Sequence, residues 1–231
     1  MNSGGSDNNA GCIFKITPGG QYTIIRSLAV NTDGGRPQGH LIEATDGNFY
    51  GINSAGGSFG YGTIFKLTSA GIYTVLKSLN GTTDGGNSYG SLVQGSDGAF
   101  YGMAKYGGIN KFGVIFRITT TGTYSVIRNL NSSTDGWYPT GDLIQGKDGF
   151  LYGMTPGAGA SGNGTIFKIN LTGTTFTVLR AMSATTYGGS PQGRLLQAAD
   201  GSFYGLASRM SGGFAGSIFK MGPTGGMTLI K

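Results

Sequence analysis

Residues 97–130 read DGAFYGMAKYGGINKFGVIFRITTTGTYSVIRNL. The first twelve positions crowd glycine around two tyrosines and a lysine, which invites comparison with a phosphate-cradling loop. That loop needs Gly-x-x-x-x-Gly-Lys-Ser/Thr running into a helix. Here the flanks are AFYGMA (99–104), GVIFRIT (113–119) and TYSVIRNL (123–130), each short and rich in β-branched and aromatic residues. With SLVQG (91–95) upstream, four strands are expected. Asp97-Gly98 forms a tight turn between the first two, and TTTG (119–122) closes the last pair. No stretch carries an i, i+3, i+4 apolar stripe of helical length.

The same block recurs. Ile-Phe-Lys/Arg begins at Ile13, Ile64, Ile115, Ile166 and Ile218, spaced by 51, 51, 51 and 52 residues. Tyr-Gly follows an Asp-Gly turn at Asp46–Gly51, Asp97–Gly102, Asp148–Gly153 and Asp200–Gly205. Four full units result (27–77, 78–128, 129–180 and 181–231), and residues 1–26 form the second half of another. Four antiparallel strands in about 50 residues is the pattern of a propeller blade. The fold expected is therefore an all-β propeller, a single domain of four blades and a half, about five blade positions. Runs such as Val114-Ile115-Phe116 do not alternate, as expected of strands covered on both faces. A β-solenoid is the competing architecture, although solenoid coils repeat at shorter periods. The half unit leaves two readings, a half-occupied fifth position or a piece of a longer repeat protein. Either way, exposed sheet edges invite self-association.

Composition narrows the function. There are 47 glycines in 231 residues, only 11% charged side chains and a net charge of +6. Gly, Thr, Ser and Asn supply the polarity of a turn-rich β protein. Cys12 is the single cysteine, so no internal disulfide or thiolate metal site is expected. No apolar run is long enough to span a membrane, and the N-terminus of this chain does not read as a signal peptide.

The sequence G-S-L-V-Q-G-S-D-G-A-F-Y-G (90–102) followed by G-V-I-F-R-I-T (113–119) resembles the GloVer tandem repeat of large bacterial proteins. The resemblance covers nearly the whole chain and implies a secreted or cell-surface, propeller-like repeat protein. It brings no agreed activity and no mapped site. The Asp-Gly-x-Phe-Tyr element is also loosely similar to five-bladed tachylectin lectins, which bind amino sugars between blades. That likeness transfers no ligand residue.

Seven of the ten carboxylates sit in Asp-Gly pairs, which turn geometry explains. Glu43 is the only glutamate, and nothing pairs it as a glycosidase requires. His40 is the only histidine and shares its column with Ser91, Asp142 and Arg194, which reads as a solvated loop position. Neither an enzyme, a cofactor nor a metal is expected. Two columns hold ten of the 16 basic residues, Lys15 to Lys220 and Arg26 to Lys231. Rotational repetition would make each a positive ring able to draw an anionic polysaccharide, with nucleic acid the weaker candidate. Departures from the repeat mark the candidate ligand-binding residues: Trp137, Tyr138, Tyr89, Arg36, Tyr187, Tyr106 and Lys105. Rings on loops of a rigid scaffold suit sugar stacking. The expectation is a non-catalytic glycan-binding or surface-display repeat, with a structural or protein-interaction segment as the alternative.

Overall fold

The computed structural model describes residues 10–210 and 216–231. Every regular element in them is a strand. The half unit is a hairpin of β1 (Cys12–Ile16) and β2 (Tyr22–Ser27). The next sheet holds β3 (Gly35–Pro37), β4 (Ile42–Glu43), β5 (Phe49–Ala55), β6 (Thr63–Leu67) and β7 (Tyr73–Ser78). The stretch quoted above becomes β8 (Val93–Gln94), β9 (Phe100–Ala104), β10 (Val114–Ile118) and β11 (Tyr124–Asn129). Then follow β12 (Ile144–Gln145), β13 (Leu151–Thr155), β14 (Thr165–Ile169) and β15 (Phe176–Ala181). The last sheet is β16 (Gly189–Gln197), β17 (Phe203–Arg209), β18 (Ser217–Met221) and β19 (Met227–Leu229). Neighbours pair antiparallel in chain order, as a meander, except that β3 and β4 both pair with β5.

The Ile-Phe strand explains how the sheets pack. Consecutive residues of a strand face opposite sides, so Ile115 and Phe116 enter different cores. Phe116 joins Tyr50, Ile64 and Phe100 in the layer shared with the preceding unit. Ile115 joins Tyr101, Leu151 and Phe167 in the layer shared with the following one. The same division recurs between units 129–180 and 181–231. Across these layers the ring of Tyr50 lies 4.1 Å from that of Phe100, and Tyr152 lies 4.2 Å from Phe203.

Glycine sets the closeness of the strands at the centre of each blade. A Cβ on Gly102 would stand 2.5 Å from the Phe116 ring, and one on Gly51 or Gly153 would meet Phe65 or Phe167 at the same distance. The Tyr-Gly signature thus leaves a bare patch for the phenylalanine paired with it on the adjacent strand. A second glycine column approaches the neighbouring blade: a Cβ on Gly39 would stand 2.9 Å from the Gly90 carbonyl oxygen.

These column-to-column contacts establish a rotation axis. His40, Ser91 and Asp142 stand at one position of successive units and are hydrogen-bonded in sequence. A cavity of about 160 Å³ is lined from four units at once, by His40, Leu92, Asp142 and Arg194 among others. Glutamine rungs stitch the same region: Thr45 N–H donates to Gln94 Oε1 at 3.0 Å, Ser96 N–H to Gln145 at 2.9 Å, and Lys147 N–H to Gln197 at 3.0 Å. The arrangement is a β-propeller arc.

Filling the bare patch is expected to be costly. Gly102→Ala should destabilise by about 1–3 kcal/mol through overpacking, lowering the thermal midpoint by about 2–4 °C per kcal/mol. Gly226→Ala, with open space around the new methyl, should leave the midpoint in place. A pair of calorimetric scans decides it; equal midpoints for the two variants would refute this account of the signature.

Candidate binding face

Antiparallel strands alternate direction, so loops joining second to third strands emerge with those joining one blade to the next. The Asp-Gly turns and third-to-fourth turns lie at the other end. Of the residues singled out from the sequence, all seven fall at the first of these ends, six in its two loop types and Arg36 in the short strand β3.

The inter-blade loop carries a fixed hook. Arg36, Asn87, Tyr138 and Ser190 occupy one column, and all four hold positive φ, between 52° and 56°. Their backbone N–H groups donate to the loop of the preceding unit: Arg36 to Ala10 O at 2.8 Å, Asn87 to Tyr61 O at 2.8 Å, Tyr138 to Phe112 O at 3.0 Å and Ser190 to Asn163 O at 2.8 Å. That bond holds the left-handed conformation, which side-chain-bearing residues enter at a cost. The side chain itself is free to vary.

Five of the seven residues meet in one place. The Lys105 ammonium lies over the Tyr89 ring at 5.1 Å and over Tyr106 at 5.0 Å. Tyr106 meets Tyr138 edge-on at 5.2 Å, and Tyr138 stacks with Trp137 at 5.4 Å. Phe112, absent from the sequence-derived set, bridges to Trp137 at 6.0 Å and to Tyr138 at 6.5 Å. A Cβ on Gly157 would collide with the Trp137 indole, so that glycine provides its seat. Trp137 remains 38% exposed and Tyr106 39%. Phe112 could have been found from its column, Tyr61, Phe112 and Asn163, whose backbone receives the hook.

Arg36 and Tyr187 lie apart. Arg36 is two units before Tyr138 in the same column. Tyr187 takes the column of Asp33, Asp84 and Asp135, where it accepts Arg180 over its ring at 4.4 Å. The cation–π contact stands where the other units form an ion pair.

Those ion pairs revise the reading of the basic columns. Arg26 grips Asp33 with two nitrogens at 2.8–3.0 Å, Lys77 reaches Asp84 at 2.8 Å, and Arg128 grips Asp135 through two bonds of 2.9 Å. In the other column Lys66, Arg117, Lys168 and Lys220 meet Asp46, Asp97, Asp148 and Asp200 at 3.0–3.4 Å. Seven of the ten cations are therefore matched, four within their own unit and three by an aspartate of the next, and among the described residues no ring of unpaired positive charge forms. The turn aspartates also bind tyrosine: the Tyr50, Tyr101 and Tyr152 hydroxyls donate to Asp46, Asp97 and Asp148 at 2.7–2.9 Å. Burial, with the bond to Asp97, pushes the Tyr101 hydroxyl up to about 12.

His40 is an exposed loop residue, as expected, and its loop lies at the ring of residues around the axis. Its Nδ1 lies 2.8 Å from Ser91 Oγ, which in turn accepts the His40 N–H at 2.9 Å. Asp142 Oδ1 accepts the Ser91 backbone N–H rather than a histidine proton. The carboxylate does not orient the imidazole, so the three residues lack the relay of a nucleophilic triad. Among the described residues no cluster of three metal-ligating side chains occurs.

The family model for the Gloeobacter/Verrucomicrobia repeat matches residues 1–146 and 120–231, and the chain belongs to that family. No curated protein matches it. Among solved structures, the extracellular domain of the hybrid two component system BT4673 from B. thetaiotaomicron superposes with a TM-score of 0.65 at 16% identity, over 96% of this chain and 28% of that one. TolB from Acinetobacter baumannii gives 0.53 at 16% identity, over 91% and 46%. The periplasmic gluconolactonase PpgL of Pseudomonas aeruginosa gives 0.57 at 13% identity, over 95% and 62%. The chain spans less than half the length of the first two, and likenesses at this identity bear on fold alone.

The ion pairs make two expectations. Desolvation acts to raise the Asp46 carboxyl, yet hydrogen bonds from Asn48 and Tyr50 and the Lys66 ammonium outweigh it and hold the group at about 2. A depressed carboxyl stabilises the fold fully above its unfolded value of 3.8 and loses that contribution as pH falls toward 2. Thermal midpoints should drop across that window, less steeply in Asp46→Asn; parallel slopes would refute the assignment. Separately, Asp135, 2% exposed, leaves a partly buried guanidinium unpaired when removed. Asp135→Ala should cost about 2–3 kcal/mol in urea unfolding, whereas Asp200→Ala, at a solvent-exposed pair, should leave the midpoint unchanged.

Proposed function

We propose that the chain is a non-catalytic, extracytoplasmic module that binds carbohydrate on the loop end of its blades, at the junction of units 78–128 and 129–180. The observation that carries this reading is Trp137, half exposed on a seat of glycine and continuous with Tyr138, Phe112 and Tyr106. An indole face beside tyrosine edges offers a C–H stacking surface for a pyranose ring, and tyrosine hydroxyls offer hydrogen bonds to its substituents. Lys105, held between Tyr89 and Tyr106, favours a sugar bearing a carboxylate or sulfate. With the basic columns neutralised, this local cation supports acidic saccharides better than any long-range field. The extracellular domain among the structural likenesses supports a location outside the cytoplasm. No helix among the described residues is long and apolar enough to cross a membrane.

A second reading draws on Ile109, 80% exposed in the same loop as Tyr106, and on exposed Phe59 in the corresponding loop one unit earlier. These apolar tips favour a protein partner laid across the loop end, which is the interaction-segment alternative.

Trp137 is the only tryptophan, so intrinsic fluorescence reports on this site alone. Titration with acidic and neutral oligosaccharides should quench or shift the emission, and acidic sugars should bind more tightly. Lys105→Ala should erase that preference, and on a glycan array Trp137→Ala should abolish binding. An unchanged spectrum together with an empty array would discard the carbohydrate reading. Hydrolysis of a glycan that Glu43→Gln abolishes would overturn the non-catalytic one.

A further inference from the structure

The loop that receives the hook carries Tyr61, Phe112 and Asn163 at successive blade junctions. Phe112 belongs to the cluster around Trp137, and Tyr61 holds the same place one blade earlier. The Tyr61 ring has a glycine seat of its own. A Cβ on Gly81 would stand 2.5–2.6 Å from its Cγ and from both Cδ atoms. Distances so nearly equal put the glycine over the face of the ring. Val30, Ser132 and Ala184 fill the same column in the other units, so this glycine goes with the tyrosine it carries. Tyr61 is 44% exposed. Among the described residues its hydroxyl has no hydrogen-bond partner, whereas those of Tyr50, Tyr101 and Tyr152 all donate to aspartates.

Tyr61 and the Trp137 cluster are continuous. Gly86 and Tyr106 exchange backbone hydrogen bonds of 3.0 and 3.2 Å, and a Cβ on Gly86 would stand 2.8 Å from Tyr61 Cβ. Tyr106 therefore begins where Tyr61 packs, and its ring continues edge-on into Tyr138. The rings form a strip across neighbouring junctions. At the next junction Asn163 takes the Tyr61 column and Gly189 the Trp137 column, so the strip stops there.

The loop of Tyr106 also holds two cations that the fold does not use. Lys111 has a φ of 65°, in a column that Gly60 and Gly162 occupy at 83° and 72°. A lysine in that left-handed position strains the backbone where glycine would not. Its side chain is exposed. Among the described residues neither Lys111 nor Lys105 has a carboxylate within ion-pair distance.

Resting on the carbohydrate reading above, we infer that the site runs from Trp137 to Tyr61 and takes an internal stretch of a linear acidic polysaccharide. Sugars stack on both seated rings, and Lys105 and Lys111 supply the counter-charge to the acidic groups. A single terminal sugar would leave one ring and one cation idle.

Calorimetric titration with oligogalacturonates from dimer to octamer tests this. In the unaltered chain, affinity should rise on the order of tenfold once the oligomer reaches both rings. Tyr61→Ala should lose that rise and keep the affinity for the dimer, while Tyr61→Phe, which preserves the ring face, should retain it. Lys111→Gly installs the residue of the neighbouring units and should fold at least as well as the parent. It should weaken the octamer more than the dimer and flatten the salt dependence of octamer binding. An affinity independent of length in the unaltered chain, or a rise that survives Tyr61→Ala, would overturn the extended site and leave carbohydrate binding at Trp137 standing. No binding at any length would overturn both.

Discussion

The contact on which the architecture rests is a phenylalanine ring laid against a glycine of the adjacent strand. It fixes the distance between the second and third strands of a blade and leaves the ring flat enough to be covered by the preceding unit. The neighbouring isoleucine then points into the other core. One dipeptide thus serves two interfaces, and repetition every 51 or 52 residues converts a local packing rule into rotation about an axis. Burial drives the process, but glycine decides its geometry.

Polar groups follow from that geometry. The aspartate of each Asp-Gly turn from Asp46 to Asp200 receives a cation from the third strand, and at Asp46, Asp97 and Asp148 a tyrosine hydroxyl from the second strand converges on it as well. At the opposite end a second aspartate receives the cation of the fourth strand, whose alkyl or guanidinium plane also covers an aromatic ring of the next blade. The chain therefore spends its few charges on internal joints, and its surface polarity comes from serine, threonine and asparagine.

Much of this was legible before any coordinates. The repeat gave the all-β class and the order of strands within a unit, because a 51-residue period with strict columns leaves little freedom. Five of the seven loop residues meet because departures from a repeat cluster where the repeat's backbone permits them. Other features were not legible. Charge columns were visible, but ion pairing depends on which aspartate column faces which cation column, and periodicity is silent about that. Tyr187 looked like a recognition residue, but it occupies an aspartate's place beside Arg180. His40 is as exposed as its column suggested, but its bond to Ser91 could not be read off, because that partner lies one full repeat away in sequence.

The hook at Arg36, Asn87, Tyr138 and Ser190 has a consequence for how such a protein can change. Its backbone bond to the preceding loop is made by an amide, which every residue except proline possesses. Folding thus asks almost nothing of the side chain, and four unlike residues fill the four positions. The loop end is a set of sockets arranged around an axis, where new specificity can be installed one socket at a time while the blades beneath stay as they are.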